Sequence, residues 1–482
     1  MAMAGTTGST AAAPEQTPAE WRPWVLASAD QFRSAAPPSD GSRRTRRELD
    51  ELVRLQSLRT RSIRKQIRFW DRQPLTVPWT RLELRMIKEY RPRPPFSARA
   101  LSLLHVAMFD ALVAAWDSRL AYQRTPPRRL DDRIRPLVPA PGSPYPSPHA
   151  VIAGAAEEVL TYLFPSEDAS TFDRVADEAV RSRLFAGVNY RSDLTRGRAL
   201  GRDIGAAVVA YARADRSDST GYARPRPEGE GYWDPTPPGY ETPAGGPVGK
   251  WLPWLMSDGG QARRESGVPE PFAYGSEEFI AEVHEVIDGQ AELTSDQKQI
   301  AVFWDDGPGT FTPSGHWNDI ALDLVKATDM GTQQTARLFA YLNAAQADSA
   351  IAFFEAKYEW WTVRPVTAVR RLCDDATRLC TEQELADDPS RRTYPDWLPY
   401  IVTPPFPSYP GGHSTFSGSA ARVLGEFFPS SAGELSRFAD EAAQSRFFGG
   451  IHFNSDNEAG LTVGRWIGDR ALERAATDGS SN

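Results

Sequence analysis

Residues 143–167 read SPYPSPHAVIAGAAEEVLTYLFPSE, and residues 407–431 read PSYPGGHSTFSGSAARVLGEFFPSS. Aligned without a gap, they set His149 opposite His413, Gly154 opposite Gly418, Leu160 opposite Leu424 and Phe164-Pro165 opposite Phe428-Pro429. The agreement continues downstream, where ADEAVRSRLFAGVNYRSD (176–193) matches ADEAAQSRFFGGIHFNSD (439–456). Upstream, Ala98-Arg99, Asp110 and Trp116 fall opposite Ala336-Arg337, Asp348 and Phe354, and Phe69-Trp70 and Phe303-Trp304 open the two copies. Self-similarity sustained this far marks a duplicated structural unit, spanning residues 69–205 and 303–468.

The repeated unit is helical. Apolar residues recur at helical spacing over 97–120, 149–163, 172–183, 199–213, 335–363, 413–428 and 460–475, and alternating β-branched runs are missing. The expected fold is all-α, two related helix bundles from an internal duplication, with the active site in the C-terminal bundle. The expected division is a disordered segment at 1–40, a first helical unit at 41–215 with a degenerate site, a Pro/Gly-rich connection at 216–270 and a second helical unit at 271–482. Residues 42–72 carry many arginines with Leu52, Leu55, Leu58, Ile63 and Ile67 at helical spacing, which reads as an amphipathic helix with a solvated basic face.

Composition removes some functions. The chain of 482 residues has a net charge of −8, so no overall basic field favours nucleic acid or an anionic membrane. No apolar run approaches the ~20 residues of a membrane span. The first residues are rich in Ala, Thr, Gly and Pro without an apolar signal core, which predicts a cytoplasmic protein. Cys373 and Cys380 could close a small loop disulfide, with two free thiols the expected state. Self-association stays open.

The duplication also serves as an internal control. The second copy carries Lys357, Arg364, Gly412, His413, Arg446, His452 and Asp456 where the first has Arg119, Pro126, Pro148, His149, Arg183, Asn189 and Asp193. Packing positions match, as do His413, Arg446 and Asp456, while the lysine, the first arginine and the second histidine occur in the second copy alone, so the second set is read as chemistry. Guanidinium forks match oxyanions. Gly411-Gly412-His413 ahead of an apolar helix offers close backbone approach and a positive helix end. Lys357, Trp361 and Arg364 are spaced for one helix face, with Pro365 ending the helix. Gly449-Gly450 predicts a bend that brings Arg446 and His452 to one point, and Asp456, four residues on, is placed to orient the imidazole. Pro313-Ser314-Gly315-His316 imitates a phosphate-binding motif and is read as a loop-to-helix start, and His105 and His284 are read as structural.

Lys357-x6-Arg364-Pro365, Pro410-Gly411-Gly412-His413 and Ser445-Arg446-x5-His452-x3-Asp456 together resemble the three-part signature of the type 2 phosphatidic acid phosphatase and vanadium haloperoxidase superfamily. The flanks FWDDGPGT, GHWN, AKYEWWTVRPVTAVR and SRFFGGIHF look like soluble bacterial vanadium-dependent haloperoxidases. The resemblance implies two related helix bundles and a vanadate cofactor. Lys357, Arg364, Gly411, Gly412, His413 and Arg446 would surround the anion, His452 would ligate vanadium, and Asp306 would pair with Arg446. It implies hydrogen peroxide, halide and a small organic acceptor as reactants, with Lys357 polarising peroxide and Phe406 near the halide. The same scaffold would also suit a soluble acid phosphatase in which His452 attacks phosphorus, Asp456 orients it and His413 protonates the leaving group. Family members carry Ser immediately before Gly-His. Here the residue is Gly411, so a hydroxyl donor is missing, and such a charge-assisted bond is worth roughly 1.5–3 kcal/mol.

Overall fold

The computed structural model describes residues 17–139 and 142–480. Their regular structure is helical, with isolated β-bridges and no strand among the described residues. In the first half run α1 (Arg43–Leu55), α2 (Arg61–Asp71), α3 (Val77–Tyr90), α4 (Pro94–Tyr122), α5 (Pro148–Leu163), α6 (Ala169–Ala186) and α7 (Arg191–Ala214). The second half holds α8 (Glu277–Ala291), α9 (Ser295–Phe303), α10 (Thr312–Ala327), α11 (Thr332–Trp360), α12 (Pro365–Arg371), α13 (Gly412–Phe427), α14 (Ala432–Phe448) and α15 (Asn454–Ala475). The duplication is visible in the helices: α4, α5, α6 and α7 correspond to α11, α13, α14 and α15 in order and closely in length.

The two longest helices, α4 and α11, are each 29 residues long and pack side by side at the centre, where His105 stacks on Phe339 at 4.9 Å. α4 alone among the described residues is long and apolar enough to cross a membrane, a window the sequence reading passed over, but 94% of it is buried inside the protein. In each half two helices touch through glycine. A Cβ on Gly201 would lie 2.0 Å from the Val151 carbonyl, and one on Gly464 would lie 2.2 Å from the Thr415 carbonyl. Those contacts press α7 onto α5 and α15 onto α13, which fixes the start of α13 against the start of α15.

A second repeat escaped the sequence reading. Trp21-Arg22-Pro23-Trp24-Val25-Leu26 and Trp251-Leu252-Pro253-Trp254-Leu255-Met256 are equivalent clasps. The N–H groups of Trp24, Val25 and Leu26 donate to the Asp110 carboxylate on α4, and those of Trp254, Leu255 and Met256 donate to Asp348 on α11. Each clasp also reaches the other half, Arg22 N–H donating to the Asp478 carbonyl and Leu252 N–H to the Asp215 carbonyl. Trp21 and Leu26 are buried in the core, so the disorder expected over 1–40 does not hold for this stretch. Residues 1–16 lie outside the described residues.

Two further expectations fail. Cys373 and Cys380 form a disulfide rather than two free thiols, their Cα atoms 5.2 Å apart across a tight loop. The basic segment 42–72 is two helices and not one, broken between Leu58 and Arg61 where Thr60 caps α2. Pro313 and His316 lie in the first turns of α10, the helix start that was expected.

Candidate active site

α11 ends at Trp360, and Trp361 takes the left-handed conformation at φ +53. Lys357 is on the last turn of α11, whereas Arg364 lies beyond the break as the N-cap of α12. The two cations therefore do not share a helix face. The turn between them, forced by Pro365, aims both inward, and both are fully buried.

The Lys357 ammonium donates to the carbonyls of Pro407, Ser408 and Pro410 at 2.9, 2.6 and 2.6 Å. These three bonds fix the loop ahead of α13. The Phe406 ring covers both cations, 5.4 Å from Lys357 Nζ and 5.0 Å from the Arg364 guanidinium carbon. Arg364 donates through Nε to the Phe406 carbonyl and through Nη1 to the Ile451 carbonyl, both at 2.8 Å. Its Nη1 also lies 3.0 Å from His452 Nε2, and its buried Nη2 has no partner.

α14 stops at Phe448, and Gly450, at φ +72, turns the chain as expected. His452 follows just before α15, and Asp456 is the third residue of that helix. Asp456 Oδ2 accepts from the Phe453 N–H at 3.0 Å, from Ser408 Oγ at 2.6 Å and from His452 Nδ1 at 2.9 Å. Because a guanidinium only donates, Nε2 of His452 carries the lone pair and Nδ1 the proton. Burial, then the charges of Arg364, Lys357 and Arg446, hold His452 well below the usual imidazole range. Burial pushes Asp456 up, opposed first by the Ser408 hydroxyl.

Ser408 was missed by the sequence reading. Its signal was available, because the ungapped alignment puts Pro144 at its place in the first copy.

Arg446, 1% exposed, donates to Ser445 Oγ and to the Ala301 carbonyl at 2.9 Å each. Its ion pair is with Asp305, at 3.5 Å. The expected partner, Asp306, instead turns its carboxylate to His316 Nδ1 at 3.0 Å. The reason is backbone geometry: Asp306 sits at φ +48, which sends its side chain away from its neighbour's. His413 Nε2 donates to the Asp305 carbonyl at 3.2 Å, and burial, then the Arg446 charge, holds its ring well below the usual imidazole range. Burial lowers Arg364 to about 9 and Arg446 to about 10, so both stay cationic at neutral pH.

Gly411 ties α13 to α15. Its N–H already donates to the Asp456 carbonyl at 2.7 Å, and a Cβ there would meet Ser414 Oγ at 2.9 Å, Asn457 Oδ1 at 3.1 Å and the Asp456 carbonyl at 3.1 Å. A serine there would have to turn the Ser414 hydroxyl aside and press on the start of α15. The next N–H, of Gly412 at the first position of α13, has no partner among the described residues.

The first copy keeps this frame without its chemistry. Arg183 and the Trp70 carbonyl hold Asp71 and His149 much as Arg446 and the Asp305 carbonyl hold Asp305 and His413. There Asp193 is paired with Arg124 at 2.5 Å, and Asn189 donates to the Pro144 carbonyl.

Comparisons with known proteins agree with this architecture. Residues 337–433 and 431–478 match the family described as the second helical-bundle domain of vanadium chloroperoxidase. The chain is 25% identical over 394 residues to the vanadium chloroperoxidase of Curvularia inaequalis, an alignment covering 70% of this chain and 61% of that protein's length. A 57-residue stretch is 46% identical to a non-specific acid phosphatase of Salmonella typhi, covering 12% of this chain and 23% of the phosphatase. Among solved structures, a bacterial vanadium-dependent iodoperoxidase superposes with a TM-score of 0.63 at 24% identity, covering 83% of this chain and 95% of that one. A bacterial vanadium-dependent chloroperoxidase gives 0.56 at 16% identity, over 82% and 98%. The duplicated helical frame and the matched second bundle make this chain similar in fold to the vanadium haloperoxidases, with residues 337–478 similar to the second helical bundle of vanadium chloroperoxidase.

Proposed function

We propose that the protein is a vanadate-dependent haloperoxidase that oxidises halide with hydrogen peroxide and halogenates a small organic acceptor. The observation that carries this reading is the pairing of an unpartnered, buried Arg364 Nη2 with the lone pair on His452 Nε2. Three buried basic groups, Lys357, Arg364 and Arg446, meet the carboxylates of Asp456, Asp305 and Asp306, and burial lowers the pKa of all three bases. An anion seated among them would offset the cost of burying these cations.

Vanadate fits this donor set, with Arg364, Arg446 and the Gly412 N–H to its oxygens and His452 Nε2 to its metal. When bound it supplies Lewis acidity toward peroxide. The chain's own residues do the rest. Asp456 fixes the His452 tautomer, and Ser408 fixes Asp456. Lys357 acts on the anion through its charge and through the loop it holds. Neutral His413 accepts a proton from incoming peroxide and returns it. Phe406 excludes water over the cations and offers a ring edge to halide. Overall, one peroxide, one halide ion and one proton give one hypohalous acid and one water. The O–O bond breaks, an oxygen–halogen bond forms, and halide loses the two electrons that peroxide gains.

The acid phosphatase match favours a second reading, phosphate-ester hydrolysis with the His452 Nε2 lone pair as nucleophile. One purified preparation, assayed with vanadate, peroxide and halide and separately with a generic phosphate ester, separates the two. His452→Ala is expected to abolish whichever activity is present. Ester hydrolysis that vanadate inhibits, without halide oxidation, would overturn the first reading.

A further inference from the structure

Across the junction of the two units lies a groove of about 480 Å³, lined by none of the residues of the anion site. Small-molecule sites run from about 300 to 1,000 Å³. One wall is built from α2, the turn after it and α3, and the other from the C-terminal half of α10 with Met330. Its floor is apolar and recessed, with Val77, Leu322 and Val325 all buried. Phe69, 49% exposed, stands at the side, and Gln73 braces that wall by donating to the Phe69 carbonyl at 3.0 Å and accepting from Arg81 at 2.9 Å.

The rim is basic. Lys65, Arg68, Arg72 and Arg81 line it from the first unit and Lys326 from the second. Among the described residues none of the five has an ion pair, not even with Asp329, the one acidic residue lining the groove. Arg81 also acts at longer range on Asp319 of α10. Elsewhere on this chain of net charge −8 exposed arginines find carboxylates, as Arg33 does with Asp117 and Arg191 with Glu51.

The duplication separates frame from rim. Phe69 and Phe303 are both exposed, and each meets the next tryptophan edge-on at 5.2 Å. Opposite Lys65, Arg68 and Arg72, however, stand Gln299, Val302 and Asp306. The helix needs the aromatic pair in both copies and the cations in neither, yet the first copy has them around an apolar floor.

We propose that this groove binds an organic phosphate, its apolar body on the recessed floor and its phosphate among the rim cations. Guanidinium forks match phosphate oxygens, and cations reaching in from both walls balance the double charge of a monoester. A small ligand suits the groove better than a bilayer, because the apolar floor is sunk below the charges instead of protruding past them. The site is independent of the halide-oxidising reading.

The probe is octylphosphonate, whose carbon–phosphorus bond resists hydrolysis, titrated by calorimetry into wild type, Arg364→Met, the double variant Arg68→Gln/Arg72→Gln, and Lys326→Gln from the opposite wall. All four altered positions are checked for retained folding by circular dichroism. Expected is saturable binding of one molecule per chain that persists in Arg364→Met and weakens as salt is raised. It should be at least about tenfold weaker in the double variant, since each charge-assisted bond lost is worth that much. Lys326→Gln should weaken it as well, and methylphosphonate, which lacks the apolar body, should bind less tightly than octylphosphonate. No binding, equal binding in the rim variants or equal affinity for methylphosphonate would overturn the proposal. Loss of binding in Arg364→Met would place the probe in the anion site and overturn it too. So would capture of the protein by phosphatidic acid vesicles without binding of the soluble probe, which would make this face a membrane surface.

Discussion

Arg364 Nη1 and His452 Nε2 lie 3.0 Å apart, so the nitrogen best suited to bind a metal is held by the guanidinium best suited to bind its oxygens. An anion entering here takes up the unpartnered Nη2 and displaces one hydrogen bond. Arg364→Met should therefore abolish anion binding while leaving Asp456 and its partners in place. The check is thermal unfolding with orthovanadate: a ligand at a hundred times its Kd stabilises wild type by about 2.7 kcal/mol, and the variant should show no shift.

Gly411→Ser restores the residue usual in the family, yet it should harm this protein. Its Cβ would press on Ser414 Oγ and on the Asp456 carbonyl, which belongs to the helix carrying the site. Overpacking of this kind costs roughly 1–3 kcal/mol. A melting temperature equal to or above wild type, or tighter vanadate binding, would refute the steric account.

His452 is held below its ordinary range by burial and by Arg364, Lys357 and Arg446. Its folded pKa lies under the unfolded value of about 6.5, so the folded protein binds fewer protons in the window between them. The stabilising contribution is complete above pH ~6.5 and is lost as pH falls toward the folded value. Wild type should lose more stability on acidification below pH 6.5 than His452→Gln does, and calorimetry across that range decides.

Glu83 on α3 is fully buried, and neither carboxylate oxygen has a partner. Burial raises its pKa well above the carboxylate range, so the folded state retains a proton that the unfolded chain releases. Its contribution is most favourable below the unfolded pKa and is lost as pH rises through the folded one. Glu83→Met should raise stability at pH 7 by about 1–3 kcal/mol, because an unsatisfied buried polar group is removed. It should also flatten the decline toward alkaline pH. Denaturant midpoints at pH 5 and 8 would show both.

Much of the site was legible. Lys357, Arg364 and His452 stood out because the second copy departs from the first there, His413, Arg446 and Asp456 because their spacing completes the signature, and Phe406 through the resemblance alone; the fold gathers them. Arg364 and Lys357 were placed on one helix because periodicity does not register the left-handed turn at Trp361. Asp305 and Asp306 are adjacent and chemically alike, so only the backbone angle at Asp306 separates their roles. Ser408 and the Trp21 and Trp251 clasps were readable from the repeat, had the alignment been carried into the loops. The Cys373–Cys380 bond depended on a loop geometry that spacing does not reveal.

The sequence by itself determined the helical class, the duplication and the residue types of an anion site, because periodicity, repetition and side-chain chemistry are properties of the chain. Which donor stays free was decided only in three dimensions. Lys357 is engaged by the carbonyls of Pro407, Ser408 and Pro410, and the Gly411 N–H by Asp456, while Arg364 Nη2 and the Gly412 N–H remain open. Hydrogen-bond saturation depends on where distant backbone groups arrive, and that is set by the close packing of α13 against α15.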